Sequence, residues 1–494
     1  MPESAAERVQ SGFPPNELAG TRMERATAAL LAAHRGLSGI YSRPDGAEAF
    51  AAQWVLADAA ERTIDAQYYI WHADLSGTLL FALLWRAAER GVRVRLLLDD
   101  NNSSGLDSTL AALDAHPNIE VRLFNPFKRR GARVLDYVFE FARLNRRMHN
   151  KSFTVERQAT IVGGRNVGDE YFGAGQEVSF EDLDVLAVGP AVADVSKVFD
   201  AYWGCESAVP LMRLVPAVTP ESGRRLMQSA KELEASERAK RYRAAVSTTP
   251  PMQDLMAGRI ALDWAEARLV SDPPSKVLGD RRTVWPPVID RLMQTLGTAR
   301  HEVDIVSPYF VPTRNGVDAL RTLATRGVRI RVLTNSLAAT DVAAVHAGYA
   351  KYRRDLLEAG IALHELKPTY AGPTAGKRGA RGGSSGASLH AKTFVVDRCR
   401  AYVGSLNFDP RSARLNTEMG VVIESPALAT RISEVLDRDL PVAAYEVRTS
   451  GTGSLQWITR DDNGEQRYES EPGASLSRRI AVRLLSILPI EGLL

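Results

Sequence analysis

The sequence predicts an α/β protein built from two duplicated lobes that face each other across one shared active site. A His-x-Lys motif occurs twice, at residues 149–151 and 390–392. Each copy is followed at the same distance by a glycine-rich turn and an asparagine, so the copies keep a common offset of 241 positions as far as Asn166 and Asn407. A repeat of this length indicates duplicated domains rather than a solenoid.

Alternating helix and strand patterns are the second observation behind this fold class. The apolar strands predicted at 93–100 and 330–336 each follow a helical pattern that ends in Arg-Gly, where the glycine supplies a left-handed cap. Such alternation is typical of α/β lobes whose helices cover a mostly parallel or mixed sheet. The chain has 494 residues, more than one hydrophobic core usually supports, so two lobes of about 200 residues each are expected.

The domain organisation follows from the positions of the two motifs. We expect an N-terminal lobe at 1–215, a polar linker with a solvated helix at 216–251, a second lobe at 252–447 and a C-terminal tail at 448–494. The Gly/Ser-rich segment 371–388 immediately precedes the second motif. It is expected to be either a mobile loop beside the active site or an insertion without a role.

Composition excludes several classes of protein. The only two cysteines, Cys205 and Cys399, form no CxxC pair and no Cys/His cluster, so neither a disulfide framework nor a metal site is expected, and no cofactor is expected. A net charge of +3 is a poor electrostatic footprint for nucleic-acid binding. The sequence predicts neither a secretion signal nor an apolar run long enough to span a bilayer.

The two His-x-Lys motifs point to phosphodiester chemistry. Period-two spacing places His149 and Lys151 on one face of a strand, and His390 and Lys392 on one face of another. One neutral imidazole can attack phosphorus to give a phosphohistidine, while a second, protonated imidazole donates to the leaving oxygen.

The lysines and the turns after the motifs are predicted to hold the phosphate. Lys151 and Lys392 would neutralise its non-bridging oxygens, helped by Asn166 and Asn407. The turn residues predicted to bind substrate beside them are Gly164 and Ser405.

Each imidazole also needs an acidic partner, because neighbouring lysines depress its pKa. The strand after each motif opens with acidic residues, Asp182 and Asp184 in the first copy and Glu418 in the second. We assign Asp184 to His149 and Glu418 to His390. The alternative is that these acids are solvated charges at strand ends.

These motifs resemble those of the phospholipase D superfamily, HxKxxxxD followed by GSxN or GGxN, over nearly the whole chain. The second copy matches fully, including Asp397, whereas the first has Glu156 where the family has aspartate. That acid is mainly a structural residue at a strand end in the family. The resemblance implies two α/β/α sandwich lobes related by a pseudo-twofold axis.

Stretches such as DAQYYIWHADLSG and NFDPRSARLNTEMG are similar to bacterial cardiolipin synthases of the C-type branch, which lacks N-terminal transmembrane helices. The resemblance implies transfer of a phosphatidyl group from phosphatidylethanolamine or phosphatidylglycerol to phosphatidylglycerol. It favours His149 as nucleophile and His390 as acid and base, although the residues alone treat them as equivalent. Hydrolysis by a phospholipase D remains an alternative, and a nuclease of the same superfamily is a more distant one.

Lipid substrates imply a peripheral protein on the membrane surface, by resemblance at the cytoplasmic face of the bacterial inner membrane. The C-terminal stretch 477–494 has the pattern of an interfacial amphipathic helix, and it could equally dock on its own protein. The aromatic and basic segment 124–147 is a second candidate, with an ordinary amphipathic helix as its alternative. The sequence leaves the donor lipid, the oligomeric state and any accessory protein open.

Overall fold

The structure, a computed structural model, describes residues 19–43, 45–175, 178–247, 259–279, 287–368, 386–461, 464–488 and 491–493. Most of the Gly/Ser-rich segment predicted to be a loop beside the active site or an insertion, residues 371–385 of 371–388, lies outside the described residues. Among the described residues, no helix combines the length and apolar character needed to cross a bilayer.

The first lobe alternates strands and helices as the sequence predicts. Its strands are β1 (Ser38–Arg43), β2 (Thr63–Tyr68), β3 (Arg93–Asp99), β4 (Ile119–Phe124), β5 (Ser152–Val155), β6 (Ala159–Gly163), β7 (Val178–Glu181), β8 (Asp184–Val188) and β9 (Ala208–Pro210). Its helices are α1 (Arg22–Ala33), α2 (Gly46–Ala59), α3 (Leu75–Glu89), α4 (Asp107–Asp114), α5 (Arg133–Leu144) and α6 (Pro190–Trp203).

Two further helices, α7 (Pro220–Glu234) and α8 (Glu237–Ser247), lie in the segment predicted to be a polar linker. They pack against helices α2, α3 and α4 of the first lobe. Ala230 and Ala239 are fully buried, and Tyr242 joins the first-lobe core. The expectation of a solvated helix is therefore wrong at these residues, because one face of each helix carries small or aromatic side chains that fit the lobe. The boundaries at 216 and 251 stay predictions.

The second lobe repeats the pattern of the first. Its strands are β10 (Asp263–Ser271), β11 (Glu302–Val306), β12 (Arg329–Asn335), β13 (Ala362–Leu366), β14 (Gly386–Leu389), β15 (Thr393–Val396), β16 (Arg400–Gly404) and β17 (Met419–Glu424). Its helices are α9 (Val288–Gly297), α10 (Thr313–Thr325), α11 (Ala343–Ala350), α12 (Arg353–Glu358), α13 (Pro410–Arg414) and α14 (Pro426–Ala443).

The C-terminal tail extends the second lobe. Strands β18 (Ala444–Thr449), β19 (Leu455–Asp461) and β20 (Gly464–Tyr468) add antiparallel pairs to the edge of the sheet at β13. Helix α15 (Leu476–Leu485) then returns to pack on α11.

Equivalent strands occupy equivalent places in the two halves of one mixed sheet. The first half runs in the order β9-β4-β3-β2-β5-β6-β8-β1, and the second runs β10-β17-β16-β15-β11-β12-β13-β18-β19-β20. Strands β1 and β10 pair with each other and join the halves. Strands β2, β3 and β4 are parallel, as are β11, β12 and β13. The predicted fold class, two duplicated α/β lobes, is confirmed.

Buried β-strands and the helices that cover them form the lobe cores. Strand β3 is buried along nearly its whole length, as expected of a parallel strand covered on both faces. A separate apolar cluster lies between the lobes and includes Ile40, Val185, Ala265, Val403 and Val421. The lobes are therefore packed together as well as joined through the sheet.

Glu156 and Asp397 perform the same structural task in the two copies. One oxygen of Glu156 accepts hydrogen bonds from the backbone amides of Glu61, Arg62 and Thr63 at 2.7 to 3.2 Å. Asp397 accepts from the three backbone amides at 300–302, at 2.7 to 2.9 Å. The interpretation of this acid as a structural residue fits these contacts, and the longer glutamate satisfies its three donors as completely as the aspartate does.

Candidate active site

The two His-x-Lys motifs lie just before equivalent strands, β5 and β15, and are buried. His149 and His390 keep 6% and 9% of their surface exposed, and Lys151 and Lys392 keep 2% and 1%. Each lysine donates a hydrogen bond to the carbonyl oxygen of its own histidine, at 2.6 Å in the first motif. Both motifs are therefore largely shielded from solvent, and the histidines keep more exposed surface than the lysines.

Backbone contacts between the lobes bring each motif against the acidic strand of the other copy. The amide of His149 donates to the carbonyl of Thr417 at 2.9 Å, and the amide of Thr417 donates to the carbonyl of Arg147 at 2.8 Å. In the second half-site, the amide of His390 donates to the carbonyl of Glu181 at 2.8 Å. Strand β14, which leads into that motif, runs parallel to β7 of the first lobe. The acids after each motif consequently face the histidine of the opposite lobe.

Glu418 is the acidic partner of His149. Its Oε2 lies 2.8 Å from Nδ1 of His149, and both groups are buried. The carboxylate is fixed from behind by the hydroxyls of Ser405 and Ser412, and the Glu418 amide donates to Asp272 at 3.0 Å. Because a carboxylate can only accept, Nδ1 of His149 carries the hydrogen and Nε2 keeps the lone pair.

Asp182 is the acidic partner of His390. Its Oδ2 lies 2.6 Å from Nδ1 of His390, and its Oδ1 accepts from the amide of Leu183 at 2.8 Å. Lys392 lies 2.9 Å from the same imidazole nitrogen, but it cannot donate there while Nδ1 carries the hydrogen that the carboxylate accepts. Nε2 of His390 therefore keeps its lone pair, as Nε2 of His149 does.

The sequence-based pairing of acids and histidines was wrong. Glu418 serves His149 rather than His390, and Asp184 contacts neither histidine through its carboxylate. Asp184 instead accepts from the guanidinium of Arg165 at 2.9 Å within its own lobe. Strand register explains the error, because Asp184 lies opposite Gly163 just as Gly420 lies opposite Gly404. Two residues before these positions stand Asp182 and Glu418, which are therefore the equivalent acids.

Burial keeps both imidazoles neutral. Desolvation, partly offset by the Glu418 charge, lowers the pKa of His149 to about 4. Desolvation and the positive charge of Lys392 lower the pKa of His390 to about 3. Burial by itself would raise the pKa values of Asp182 and Glu418, but their interactions with the paired histidines and the neighbouring lysines outweigh it and lower both pKa values, so both carboxylates stay ionised. Each half-site therefore holds a neutral imidazole on a charged acceptor, which suits a nucleophile.

The two lysines share one site. Burial lowers the pKa of Lys392 to about 8, and burial together with repulsion from Lys392 holds the pKa of Lys151 well below its usual range. Two crowded ammonium groups with little solvent form a strong site for an anion. The same pair lies beside both histidines, because each lysine lowers the pKa of the opposite imidazole.

The turn residues differ between the half-sites in a way that matches their acids. A Cβ on Gly164 would lie 2.2 Å from Oδ1 of Asp182, so the shorter acid occupies the space that a side chain would need. Ser405 stands at the equivalent position and donates to the longer Glu418. Both residues contact the acids, and their predicted role in substrate binding stays a prediction.

Asn166 and Asn407 are buried behind the motifs. The Asn166 amide accepts from the amide of Ile70 and donates to the hydroxyl of Tyr171, both at 3.1 Å. Oδ1 of Asn407 is buried and accepts no hydrogen bond from the described residues. Their predicted contacts with phosphate are untested.

Aromatic rings flank both histidines, and the His-x-Lys motifs do not predict these rings. The ring of Tyr69 meets His149 edge to face with centroids 5.0 Å apart, and Tyr171 and Phe180 each lie 5.1 Å from His390. The ammonium of Lys151 lies 5.4 Å from the Tyr69 ring. These rings exclude water and restrict the imidazole orientations. Period-two alternation at the end of strand β2 is the only sequence signal for Tyr69.

In each lobe, one buried side chain hydrogen-bonds the backbone of the residue that precedes the candidate catalytic histidine. Oδ2 of Asp99, at the end of β3, accepts from the amide of Met148 at 2.9 Å. At the end of β12, Asn335 brackets Leu389, accepting from its amide at 2.8 Å and donating to its carbonyl at 3.0 Å. Parallel strands of both lobes thus position the two motifs directly.

Among the described residues, one group of metal-type side chains comes together: His72, Asp74 and Glu170. Asp74 caps the first turn of α3, accepting from Ser76, Gly77 and the amide of Asp169. Glu170 contacts His72 at 3.1 Å. The hydrogen bonds of Asp74 account for its position as a helix cap.

Comparison with known proteins identifies the family. The sequence matches the family described as cardiolipin synthase, PLD-like domain, over residues 55–203 and 292–440, one match in each lobe. The chain belongs to the phospholipase D-like family of cardiolipin synthases. It is 49% identical over 480 residues to cardiolipin synthase C of Escherichia coli strain K12, covering 96% of this chain and 100% of that relative. The predicted membership, including the C-type branch, is confirmed, as is the prediction of a phospholipase D-type enzyme.

More distant relatives agree with this family. Cardiolipin synthase A of Pseudomonas entomophila strain L48 is 28% identical over 88% of this chain and 73% of its own length. The solved structure of phosphatidylserine synthase from Haemophilus influenzae Rd KW20 matches with a TM-score of 0.58 at 15% identity, covering 96% of this chain and 100% of that one. At that identity the similarity speaks for the fold alone.

Proposed function

We propose that this protein is a cardiolipin synthase that transfers a phosphatidyl group to phosphatidylglycerol through a phosphohistidine intermediate. The observation that carries the proposal is the pair of half-sites. Two neutral imidazoles, each on a carboxylate from the opposite lobe, flank one pair of buried lysines. This arrangement suits a two-step exchange at phosphorus, and the family membership supports phospholipids as substrates.

In the first step, Nε2 of His149 attacks the phosphorus of the donor lipid. A P–N bond forms and the P–O bond to the head-group alcohol breaks, while protonated His390 gives its proton to the leaving oxygen. Glu418 holds the Nδ1 hydrogen of His149 and stabilises the positive charge that develops on the ring. Bound phosphodiester offsets the charge of Lys392, which raises the pKa of His390 and lets it carry that proton.

In the second step, His390 acts as the base. It takes the proton from the terminal hydroxyl of phosphatidylglycerol, whose oxygen attacks the phosphorus. The P–N bond breaks, His149 is restored as a neutral imidazole, and His390 is again protonated for the next donor. Asp182 holds His390 in the orientation that both steps require.

Lys151 and Lys392 provide the charge that binds the phosphate. Their ammonium groups neutralise the non-bridging oxygens, and low solvent exposure strengthens that interaction. Asn166 and Asn407 lie next to the motifs and complete the polar wall. The flanking rings limit water access, which favours an alcohol over water as the second nucleophile.

The donor lipid is proposed to be phosphatidylethanolamine or a second phosphatidylglycerol. Either one presents the same phosphodiester to the lysines, so the described residues favour neither. The enzyme is proposed to act as a peripheral protein at the cytoplasmic face of the inner membrane, where both lipids are at hand.

Lipid products from purified protein test this function. Labelled phosphatidylglycerol in mixed micelles, with and without phosphatidylethanolamine, is separated by thin-layer chromatography. We expect cardiolipin from the unmodified protein and none from His149→Ala, and its dependence on phosphatidylethanolamine identifies the donor. Phosphatidic acid as the sole product would instead assign hydrolysis, and absence of any lipid product would reject the proposal.

A further inference from the structure

Exposed apolar side chains are concentrated in two helical segments. Of the fifteen large apolar side chains that are exposed in the described part of the chain, ten lie in these segments. Helix α5 carries Val134, Leu135, Val138, Phe139 and Phe141, and α15 with the turn after it carries Leu476, Ile480, Leu484, Ile487 and Leu488. Patches of this kind on a protein surface mark interaction sites.

Helix α5 is connected to the first half-site. Tyr137 of the helix donates to the side chain of Asn101, and that amide donates to the hydroxyl of Tyr69 at 3.3 Å. The Tyr69 ring in turn packs on His149. Arg133, at the start of the helix, donates to the carbonyl of Asp100 at 3.0 Å. A chain of two hydrogen bonds and one ring contact therefore links α5 to His149.

Helix α15 is connected to the second half-site. Arg478 donates to the carbonyl of Thr340 at 2.6 Å, and the next residue, Asp341, accepts from the hydroxyl of Tyr309 at 2.8 Å. The charge of Asp341 also acts on Lys392, whose pKa it raises. The inner face of α15 docks through buried Val482 on α11. One face of the C-terminal helix is therefore docked on its own protein, and the opposite face is exposed.

Basic residues accompany both apolar surfaces. Lys128 and Arg129 precede α5, are 70% and 54% exposed and pair with Glu140 and Asp136 of that helix, and Arg483 is exposed on α15. Anionic lipid head groups attract such residues, while Val138, Phe139 and Ile480 can enter the acyl region beneath them. A soluble protein partner would not need two such surfaces, one linked to each half-site.

We propose that α5 and α15 together form a docking surface for an anionic phospholipid bilayer and hold the two half-sites to which they are linked against it. This inference rests on the proposed function, since it assumes that the active site takes its substrates from a membrane. With both helices inserted, the head groups of bilayer lipids face the two lysines without leaving the membrane. One helix alone would attach the protein without fixing the orientation of the active site.

Flotation with vesicles of phosphatidylethanolamine and phosphatidylglycerol tests the surface. The variants are Val138→Glu with Phe139→Glu on α5, and Ile480→Glu with Leu484→Glu on α15. Matched controls are Met212→Glu and Val442→Glu, whose native side chains are 58% and 59% exposed outside both segments. We expect each helix variant to lower the vesicle partition coefficient at least about tenfold, and the controls to leave it within about twofold.

Activity in two lipid forms separates this proposal from the function on which it rests. The helix variants should lose cardiolipin synthesis on vesicles and keep it on short-chain lipids in detergent micelles, where docking is not required. Normal flotation of both helix variants would overturn the docking surface. So would an unmodified protein that light scattering finds to be a dimer and that the same substitutions convert to a monomer. Vesicle binding without cardiolipin in either lipid form would leave the surface in place and reject the proposed function.

Discussion

Glu418 of the second lobe accepts a hydrogen bond at 2.8 Å from Nδ1 of His149 in the first lobe. The opposite contact, Asp182 with His390 at 2.6 Å, runs from the first lobe to the second. Neither half-site is complete without the other lobe, so the duplicated domains function as one unit. This dependence explains why the sheet is continuous and why the lobes share a packed interface.

Exchange of the acids between lobes predicts which step each carboxylate supports. With the p-nitrophenyl ester of phosphatidic acid, the leaving group needs no proton, so its release reports attack by His149 alone. Glu418→Gln should slow the p-nitrophenol burst about 10²-fold. Asp182→Asn should leave the burst rate unchanged and slow the steady-state turnover that follows it. Stopped-flow absorbance measures both phases. The reverse pattern would favour pairing within one lobe.

Gly164 should tolerate no side chain. Gly164→Ser places Cβ where Oδ1 of Asp182 lies, so the acid must move away from His390, and we expect turnover to fall more than about 10²-fold. Ser405→Gly makes no such clash: it removes the hydrogen bond to Glu418, worth about 1.5–3 kcal/mol, and the bonds that the hydroxyl makes with the backbone of Met419. Gly297→Ala is the control, because nothing lies within 4 Å of its Cβ. Equal losses for Gly164→Ser and Gly297→Ala in steady-state assays would contradict this packing.

Lys392 should set an alkaline limit to activity. Burial lowers its pKa to about 8, so the cation that binds phosphate is present below pH 8 and is lost as the pH rises through that value. We therefore expect kcat/KM to decline above about pH 8. Lys392→Arg keeps its charge and should remove the part of this limb that Lys392 contributes while lowering the plateau. An unchanged limb in that variant would assign the titration to another group.

Glu156 should contribute to stability and not to chemistry. Glu156→Ala leaves three backbone amides, of which that of Thr63 is buried, without their acceptor, and we expect a loss of about 1–3 kcal/mol in the free energy of unfolding. Glu156→Asp should cost less than about 1 kcal/mol. In the other lobe Asp397 accepts from the three equivalent amides, at 300–302, and has a positive φ as Glu156 does. Denaturant unfolding measures both changes. An aspartate variant as unstable as the alanine variant would contradict this structural role.

Local sequence signals predicted most of the fold and the motif residues of the site. Residue spacing within single chain segments is enough to predict the two His-x-Lys motifs, the duplicated lobes and the alternation of helices and strands. The acid assignments failed because they depend on strand register and on the contact between the lobes, and neither is visible in a single chain segment. Asp182 lies 18 residues after Gly164 whereas Glu418 lies 13 after Ser405, so equal offsets do not find the equivalent acids. Only the strand register and the contact between the lobes identify the equivalent acids.

Packing between distant segments accounts for the other differences. The charged segment around Ala230 and Tyr242 reads as solvated because its few apolar residues are widely spaced, yet those residues meet the first lobe. Tyr69 and Phe180 reach the histidines from strands that lie far from the motifs in sequence. Side chains that act through tertiary contact leave little periodic signal.

Mass spectrometry of quenched His390→Ala protein tests the central claim most directly. The p-nitrophenyl ester of phosphatidic acid allows the first step without an acid, while loss of the base blocks the second. We predict that one phosphatidyl group per chain accumulates on His149, and that His149→Ala accumulates none. A phosphatidyl group on His390 in the His149→Ala protein, or no adduct in either variant, would contradict the account.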